Sequence, residues 1–241
     1  MKKFLALLMV LVIMFTQTSV ILAGAETSDA DLIGKWSFNE EGGDTVYDLS
    51  GNGADLHAVG GAHTRVEGAK GKTIQFDAFD GVGSADKQWF AAVDKQSIPQ
   101  MLTGANAVTV MGMFRKRSNL SAGDAKDFVY IEGDSNIGVG IRVNISSTAI
   151  KFLGRSYTGD GFTGSKDAAA NLEDNSIWHH LAVVIDYSAK NVKIYLDGEI
   201  ILDQDGMKFG SSTYQMGLPT KDTAQIRFGC DRILVDEISL Y

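Results

Sequence analysis

Two adjacent histidines follow a tryptophan in the segment NSIWHHLAVVIDYSAKNVKIYLDGEIILD, residues 175–203. With acidic residues nearby, His179 and His180 are of the type that binds metal ions or transfers protons. A metal-binding pair on a strand favours i, i+2 spacing, because successive side chains of a strand point to opposite faces. Because His179 and His180 are adjacent, their side chains would point to opposite faces of a strand. The spacing therefore favours packed, hydrogen-bonded strand residues beside Trp178 over a metal site.

Paired carboxylates would indicate glycoside hydrolysis, in which retaining enzymes place two carboxyl groups about 5–5.5 Å apart. None of the acidic clusters has the spacing that this geometry needs. NEEGGD indicates a turn, LDGEIILDQD a hairpin, and in VDEISLY the adjacent Asp236 and Glu237 point to opposite faces. The Gly-x-Ser-x-Gly and His-Glu-x-x-His motifs do not occur either. We therefore expect no enzyme activity, with a glycan-active hydrolase or lyase of unfamiliar site as one alternative.

Short strands bounded by turn residues must position these side chains. Segments such as KTIQFDA, AVTVMGMF, DFVYIEG and AIKFLG lie between clusters of Gly, Asn, Asp and Ser, in a chain with 27 glycines and 2 prolines. Residues 179–187 alternate between two largely apolar faces, and Asp197-Gly198 predicts a tight hairpin, so residues 179–202 are predicted to form a three-stranded meander. Residues 154–176 resemble a long surface excursion. The pattern predicts one all-β domain, a two-sheet antiparallel β-sandwich.

The N-terminal segment has the features of an export signal. Two lysines precede an apolar run at residues 4–15, and small residues at 23–25 supply a cleavage pattern. The apolar run has about 12 residues, fewer than the roughly 20 that a membrane-spanning helix needs. We therefore predict a signal peptide at residues 1–25. Residues 26–241 are predicted to form one secreted domain, extracellular or at the cell surface, without membrane insertion after cleavage.

The net charge limits the classes of partner that the chain can bind, and the cysteine content limits how the fold can be stabilised. The formal net charge is −8, and loss of the two leader lysines would make the mature chain more acidic. Nucleic acid and anionic membranes both need a basic surface, so the charge argues against either as the partner. Cys230 is the single cysteine, which rules out an intramolecular disulfide. A bound ion is an alternative means of stabilising the fold.

Four segments, in order, resemble the LamG-like jelly-roll domains of the concanavalin A-like lectin/glucanase superfamily. WHHLAVVIDYSAKNVKIYLDGEII resembles the central strand and the hairpin that follows it in that family. LIGKWSFNEEGGDTVYDLSGNGADLHAVGG, GKTIQFDAFDG and VDEISLY resemble its opening, its Phe-Asp-Gly segment and its closing strand. The resemblance runs from about Leu32 to Tyr241 and implies a concanavalin A-like jelly roll of about a dozen strands, with its two sheets roughly 10 Å apart. Because this fold hosts lectins, hydrolases, lyases and interaction modules, it implies little about function.

The resemblance also implies one structural Ca²⁺ ion near the Phe-Asp-Gly segment and the closing strand. Calcium binds six to eight oxygens from carboxylates and loop carbonyls. Where the family has Phe-Asp-Gly, this chain has Phe76-Asp77-Ala78, with Asp80-Gly81 shortly after, so either the loop is rebuilt or Asp80 replaces the family's aspartate. In the alternative interpretation, Asp77 and Asp236 are turn residues that bind backbone amides. The candidate ligands, including two from the DLSGNG loop, are Asp48, Asn52, Asp77 and Asp236.

Aromatic residues in loop-like segments are candidates for stacking on sugar rings, although each also fits a role as a core or loop anchor. Trp36, Phe38 and Phe76 fall in strands, and we assign them to the core. We expect a non-catalytic carbohydrate-binding module whose partner is a glycan or polysaccharide. The alternative is an adhesion or assembly module that contacts a cell-surface protein. The candidate ligand-binding residues are Trp89, Tyr157, Phe162 and Tyr214.

Overall fold

The computed structural model describes residues 31–76, 88–92, 101–102, 104–121, 125–131, 141–155, 162–207 and 226–241. These residues form sixteen strands in a six-stranded sheet, an eight-stranded sheet and a two-stranded hairpin, with antiparallel pairing throughout. The prediction of an all-β antiparallel sandwich is confirmed. The strands are β1 Gly34–Trp36, β2 Thr45–Val46, β3 Leu56–Val59, β4 His63–Glu67, β5 Lys72–Phe76, β6 Trp89–Ala92, β7 Ala107–Lys116, β8 Lys126–Ile131, β9 Ile141–Ile145, β10 Ala149–Arg155, β11 Phe162–Ala169, β12 His179–Asp186, β13 Asn191–Leu196, β14 Glu199–Gln204, β15 Ile226–Phe228 and β16 Ile233–Leu240.

The six-stranded sheet has the order β1-β16-β7-β12-β13-β14. Its last three strands are the predicted meander, which is confirmed. The turn between β13 and β14 has φ of 52° at Asp197 and 86° at Gly198. Positive φ at both central residues is typical of the tight turn that matches the twist of a hairpin. The Asp-Gly pair therefore sets the register of β14 against β13.

The eight-stranded sheet has the order β11-β10-β9-β8-β15-β6-β3-β2. Its edge strand β11 lies inside the segment 154–176, which the sequence pattern indicated as a surface excursion. That interpretation is wrong for residues 162–169, which pair with β10. An edge strand pairs with a neighbour on one side only, and many of its residues are exposed and polar. The alternation of apolar and polar residues that identifies a buried strand is therefore weak in β11.

The core lies between the two large sheets. Trp36 of the six-stranded sheet packs against Phe228 of the eight-stranded sheet with ring centroids 5.3 Å apart, and Phe114 packs against Phe128 at 6.2 Å. Trp36, Phe38 and Phe76 are at most 1% exposed, which confirms their assignment to the core. The placement of Phe38 in a strand is wrong, because β1 ends at Trp36 and Phe38 has a φ of 60°. Burial of one large apolar side chain contributes about 1.5–3 kcal/mol to the free energy of folding. The described part of the chain contains no helix long and apolar enough to cross a membrane.

Candidate functional site

One face of the eight-stranded sheet points away from the core and carries large polar and aromatic side chains. We call it the outer face. Three of its residues each lie between two buried core residues of the same strand, so alternation turns them outward. They are Tyr130 on β8, Arg142 on β9 and Arg227 on β15. Trp89 on β6 precedes the buried Phe90 and lies on the same face.

Strand register brings these residues together. Arg227 is opposite Tyr130, and Tyr130 is opposite Arg142, so the three form a row across adjacent strands. The Arg227 guanidinium lies 4.3 Å from the ring centroid of Trp89 and 5.5 Å from that of Tyr130. The Arg142 guanidinium lies 5.4 Å from the Tyr130 ring. A cation within about 6 Å of a ring centroid is attracted by the ring quadrupole. These four half-buried side chains, which we call the Arg–aromatic row, therefore hold one another in place.

A second row of polar residues runs beside the first. Arg142 donates two hydrogen bonds to the Asp127 carboxylate, at 2.6 and 3.1 Å, and Lys151 pairs with Asp167 at 3.4 Å. Asp127 faces Asn144 on β9, which in turn faces Lys151 on β10. A bulge in β8 between Asp127 and Val129 turns two consecutive residues to the core and leaves the carboxylate outside.

Within the part of the chain that the structure describes, three buried polar atoms on this face have no hydrogen-bond partner. Asn144, 7% exposed, has an Oδ1 that accepts no hydrogen bond, and the Nε1 of Trp89 and the Nδ1 of His57 also lack partners. His57 belongs to the face because it is opposite Ala91, which is opposite Arg227. A buried polar group without a partner costs about 1–3 kcal/mol.

The side chains of the outer face are of the types that bind polar ligands. Aromatic rings, fixed guanidinium groups and convergent hydrogen-bonding atoms are the elements that orient a polar ligand. The Asp127 carboxylate is occupied by both bonds from Arg142, and Asp167 pairs with Lys151 at the sheet edge. Both carboxylates therefore act as ion-pair partners.

The predicted ligand-binding residues have different outcomes. Trp89 lies in the Arg–aromatic row. Phe162 is the first residue of the edge strand β11, where its backbone pairs with that of Arg155. Tyr157 and Tyr214 lie outside the described residues. The sequence interpretation missed three members of the row, although each sits between apolar residues in a recognisable strand: Tyr130, Arg142 and Arg227.

Asp48, a predicted calcium ligand, organises the DLSGNG turn. Its carboxylate accepts hydrogen bonds from the backbone N–H groups of Lys35, Ser50 and Ala54 at 2.9–3.1 Å, and from the Ser50 hydroxyl at 2.7 Å. Burial raises the pKa of Asp48, but these hydrogen bonds outweigh it and hold the pKa below its usual value. The amide of Asn52, the second candidate in this loop, donates to the carbonyls of residues 32 and 33.

Asp236 connects the closing strand to the β4–β5 hairpin. It is fully buried, and its carboxylate accepts hydrogen bonds from the backbone N–H groups of Lys70 at 3.0 Å and Glu237 at 2.9 Å. Burial raises the pKa of Asp236 to about 6. These contacts match the interpretation of Asp236 as a residue that binds backbone amides. Asp77 lies outside the described residues, so calcium binding stays a prediction.

No cluster of three or more His, Cys, Asp or Glu side chains that could hold a metal ion occurs within the described ranges. Both histidines lie in β12 and both are hydrogen-bonded there, as their spacing indicated, and His179 is also packed. His179 Nδ1 lies 2.7 Å from Asp197 Oδ2, and its ring packs against Phe114 with centroids 5.6 Å apart. The backbone N–H of His180 donates to the same Asp197 carboxylate at 2.8 Å. Both histidines thereby anchor the hairpin turn after β13.

No protein-family model matches this chain. A search of curated proteins also found no match. Solved structures do match. The binding domain of Paraclostridial Mosquitocidal Protein 1 aligns with a TM-score of 0.59 and 17% identity over 88% of this chain and 49% of that one. Domain 4 of AbnA, a GH43 extracellular arabinanase from Geobacillus stearothermophilus in complex with arabinotriose, aligns with a TM-score of 0.57 and 15% identity over 87% and 91%.

Botulinum neurotoxin type C, which interacts with two ganglioside molecules, aligns with a TM-score of 0.59 and 13% identity over 88% of this chain and 48% of that one. The chain thus spans about half the length of the two toxin chains and nearly all of the arabinanase domain. At these identities the likeness shows a shared β-sandwich fold.

Proposed function

We propose that this chain is an exported, non-catalytic carbohydrate-binding module of the LamG-like type. It binds a glycan on the outer face of the eight-stranded sheet. The observation that carries the proposal is the Arg–aromatic row, in which Trp89 and Tyr130 share one face with two fixed guanidinium groups. Sugar rings have apolar faces and hydroxyl edges, so a site for them combines flat aromatic surface with convergent hydrogen-bonding groups.

The structural comparisons support the same class of ligand. The arabinanase domain was solved with arabinotriose, and botulinum neurotoxin type C interacts with gangliosides, so two chains of this fold bind sugar-containing ligands. For this chain, Tyr157, Phe162 and Tyr214 remain predicted ligand contacts. One calcium ion is predicted to stabilise the fold.

Binding of the exported chain to a broad glycan panel, with and without calcium, tests the proposal. We expect saturable, glycan-specific binding that is lost in Trp89→Ala and retained in Trp178→Ala. Trp178 is the matched control because it also lies under an arginine, with Arg115 at 5.2 Å, but on the other sheet. A folded protein that binds no member of the panel in either condition would contradict the proposal and favour a module that contacts protein.

A further inference from the structure

The six-stranded sheet ends in a strand with one open backbone edge. In the order β1-β16-β7-β12-β13-β14, strand β14 pairs with β13, and no other strand of the described residues pairs with it. The opposite edge strand, β1, has three residues and is partly covered. The N–H of Lys35 in β1 donates to the Asp48 carboxylate at 3.0 Å, and its carbonyl accepts from the Leu49 N–H at 2.7 Å. The six residues of β14 thus form the longer and more open edge of this sheet.

The hydrogen bonds of β13 show which backbone groups of β14 face the open edge. The N–H of Asp197, which directly follows β13, donates to the His180 carbonyl on β12 at 2.8 Å. Backbone groups along an antiparallel strand point alternately to its two neighbours, so the odd-numbered residues of β13 bond to β12 and the even-numbered ones to β14. Asp203 is opposite the odd-numbered Lys193. The N–H and C=O of Asp203 therefore point away from β13, where they can pair with an added strand.

The side chains of β14 that point away from the core combine an exposed apolar residue with carboxylates. Ile200 and Asp203 pair with residues of β13 that alternate with its buried residues, so both point away from the core. Ile200 is 48% exposed. The side-chain amide of Asn191 donates to the carboxylates of Asp203 and Asp205, at 2.8 Å each, and holds them side by side. The edge thus presents one apolar contact followed by two fixed negative charges.

The charge of this edge decides which kind of strand fits it. Lys193 lies 3.5 Å from the Asp203 carboxylate, so one lysine meets the two carboxylates, and the exposed Glu199 adds a third. The whole chain is also acidic, with a formal net charge of −8. Pairing of β14 with β14 of a second copy would bring these carboxylates together, and like charges on neighbouring strands destabilise a sheet. The edge therefore fits a basic strand from a different protein.

We infer that β14 binds a short, extended, basic segment of a partner protein by strand addition. The segment pairs with the backbone of Asp203 and places an apolar side chain beside Ile200 and basic side chains beside Asp203 and Asp205. In this mode of recognition, main-chain hydrogen bonds give affinity and alternate side chains give specificity. A bulge leaves Ile201 unpaired and interrupts the edge, which favours a short segment over a long strand. The inference goes beyond glycan binding, because β14 belongs to the other sheet from the Arg–aromatic row.

Short synthetic peptides test the inference. One set alternates lysine with threonine and ends in valine or isoleucine, in both chain directions, and the control set has glutamate in place of each lysine. By fluorescence anisotropy, we expect the best lysine peptide to bind the chain about tenfold more tightly than its glutamate counterpart. Raising the salt to about 500 mM should weaken that binding. N-methylation of alternate amides in one of the two phases should weaken it about tenfold, because it removes the N–H donors that face β14.

A variant and an exchange measurement locate the site. Ile200→Lys places a positive charge beside the basic peptide and should weaken binding about tenfold. Leu49→Lys is the matched control, because Leu49 is 57% exposed and lies beside β1 at the opposite edge of the same sheet. In the wild type, the amide of Asp203 should exchange its hydrogen about tenfold more slowly once the peptide is bound. This measurement decides the question if Ile200→Lys fails to fold.

The outcomes separate this inference from the proposed function. Equal binding of the lysine and glutamate peptides, or binding of neither set, overturns the inference. Peptide binding that leaves exchange of the Asp203 amide unchanged also overturns it. A dimer in sedimentation equilibrium that Ile200→Lys dissociates would assign the edge to a second copy and overturn the partner inference. None of these results bears on glycan binding, which is measured without peptide.

Discussion

The Arg227 guanidinium lies 4.3 Å from the ring centroid of Trp89, on adjacent strands of the eight-stranded sheet. The two residues are far apart in the chain, and antiparallel pairing of β15 with β6 brings them together. Each limits the other's rotamers, so the pair forms a rigid platform on the outer face. A rigid platform binds ligand with a smaller loss of conformational entropy than two independent flexible side chains.

Trp89→Ala should weaken glycan binding by about 2 kcal/mol or more, roughly 30-fold in Kd. The substitution removes both the stacking surface and the ring that holds Arg227. Titration calorimetry against the best ligand of the panel measures the effect. Trp178→Ala should leave Kd unchanged, and a comparable loss in that control would show that the effect is a general one on folding.

Asp236 should make folding stability depend on pH. Its pKa is about 6 in the folded protein, above the value near 3.8 of an ordinary aspartate. Between those values the folded state holds a proton that the unfolded state has released. This contribution to the free energy of unfolding is therefore complete below about pH 3.8 and is lost as the pH rises through about 6. Asp236→Asn cannot ionise and should lack this contribution.

The measurement for Asp236 is the difference in Tm between wild type and Asp236→Asn, in chelator, from about pH 4 to about pH 7. The Tm of the wild type minus the Tm of Asp236→Asn should fall steadily as the pH rises. Other titrating groups affect both proteins equally and cancel in the comparison. A difference that stays constant over this range would contradict the raised pKa.

Asp48→Ala should lower the free energy of unfolding by about 2 kcal/mol or more, because it removes the acceptor of three backbone N–H groups and one hydroxyl. Urea unfolding measures the loss. Asp44→Ala is the matched control, since this exposed carboxylate accepts a single long hydrogen bond from Thr45 at 3.4 Å. We expect a change within about 0.5 kcal/mol for the control. Equal effects in both variants would argue against a structural role for the DLSGNG turn.

Calcium should raise the Tm of the wild-type chain, and a chelator should lower it, because an ion that binds only the folded state stabilises that state. Thermal unfolding with calcium, with magnesium and with chelator measures the effect. Magnesium is the control, because its smaller octahedral shell does not fit a site built for six to eight oxygens. If neither calcium nor chelator changes the Tm, the prediction that a calcium ion stabilises this fold is wrong.

The sequence by itself determined the inward faces of the central strands and the hairpin after β13. In β12, alternation assigned Leu181, Val183 and Ile185 to one face, and all three are fully buried. The Asp197-Gly198 pair specified a hairpin that the positive φ angles confirm. These features depend on neighbouring residues, whose side-chain directions and turn conformations follow from local backbone geometry.

The tertiary structure decided which outward-facing residues meet. Alternation alone turns Tyr130, Arg142 and Arg227 away from the core, but it does not say that β9, β8, β15 and β6 are neighbours in that order. Strand order depends on packing and register between distant segments, and β15 enters the sheet between two strands that precede it by long stretches of chain. The edge position of β11 and the burial of Asp236 against the β4–β5 hairpin were decided in the same way, because both depend on contacts between segments far apart in sequence.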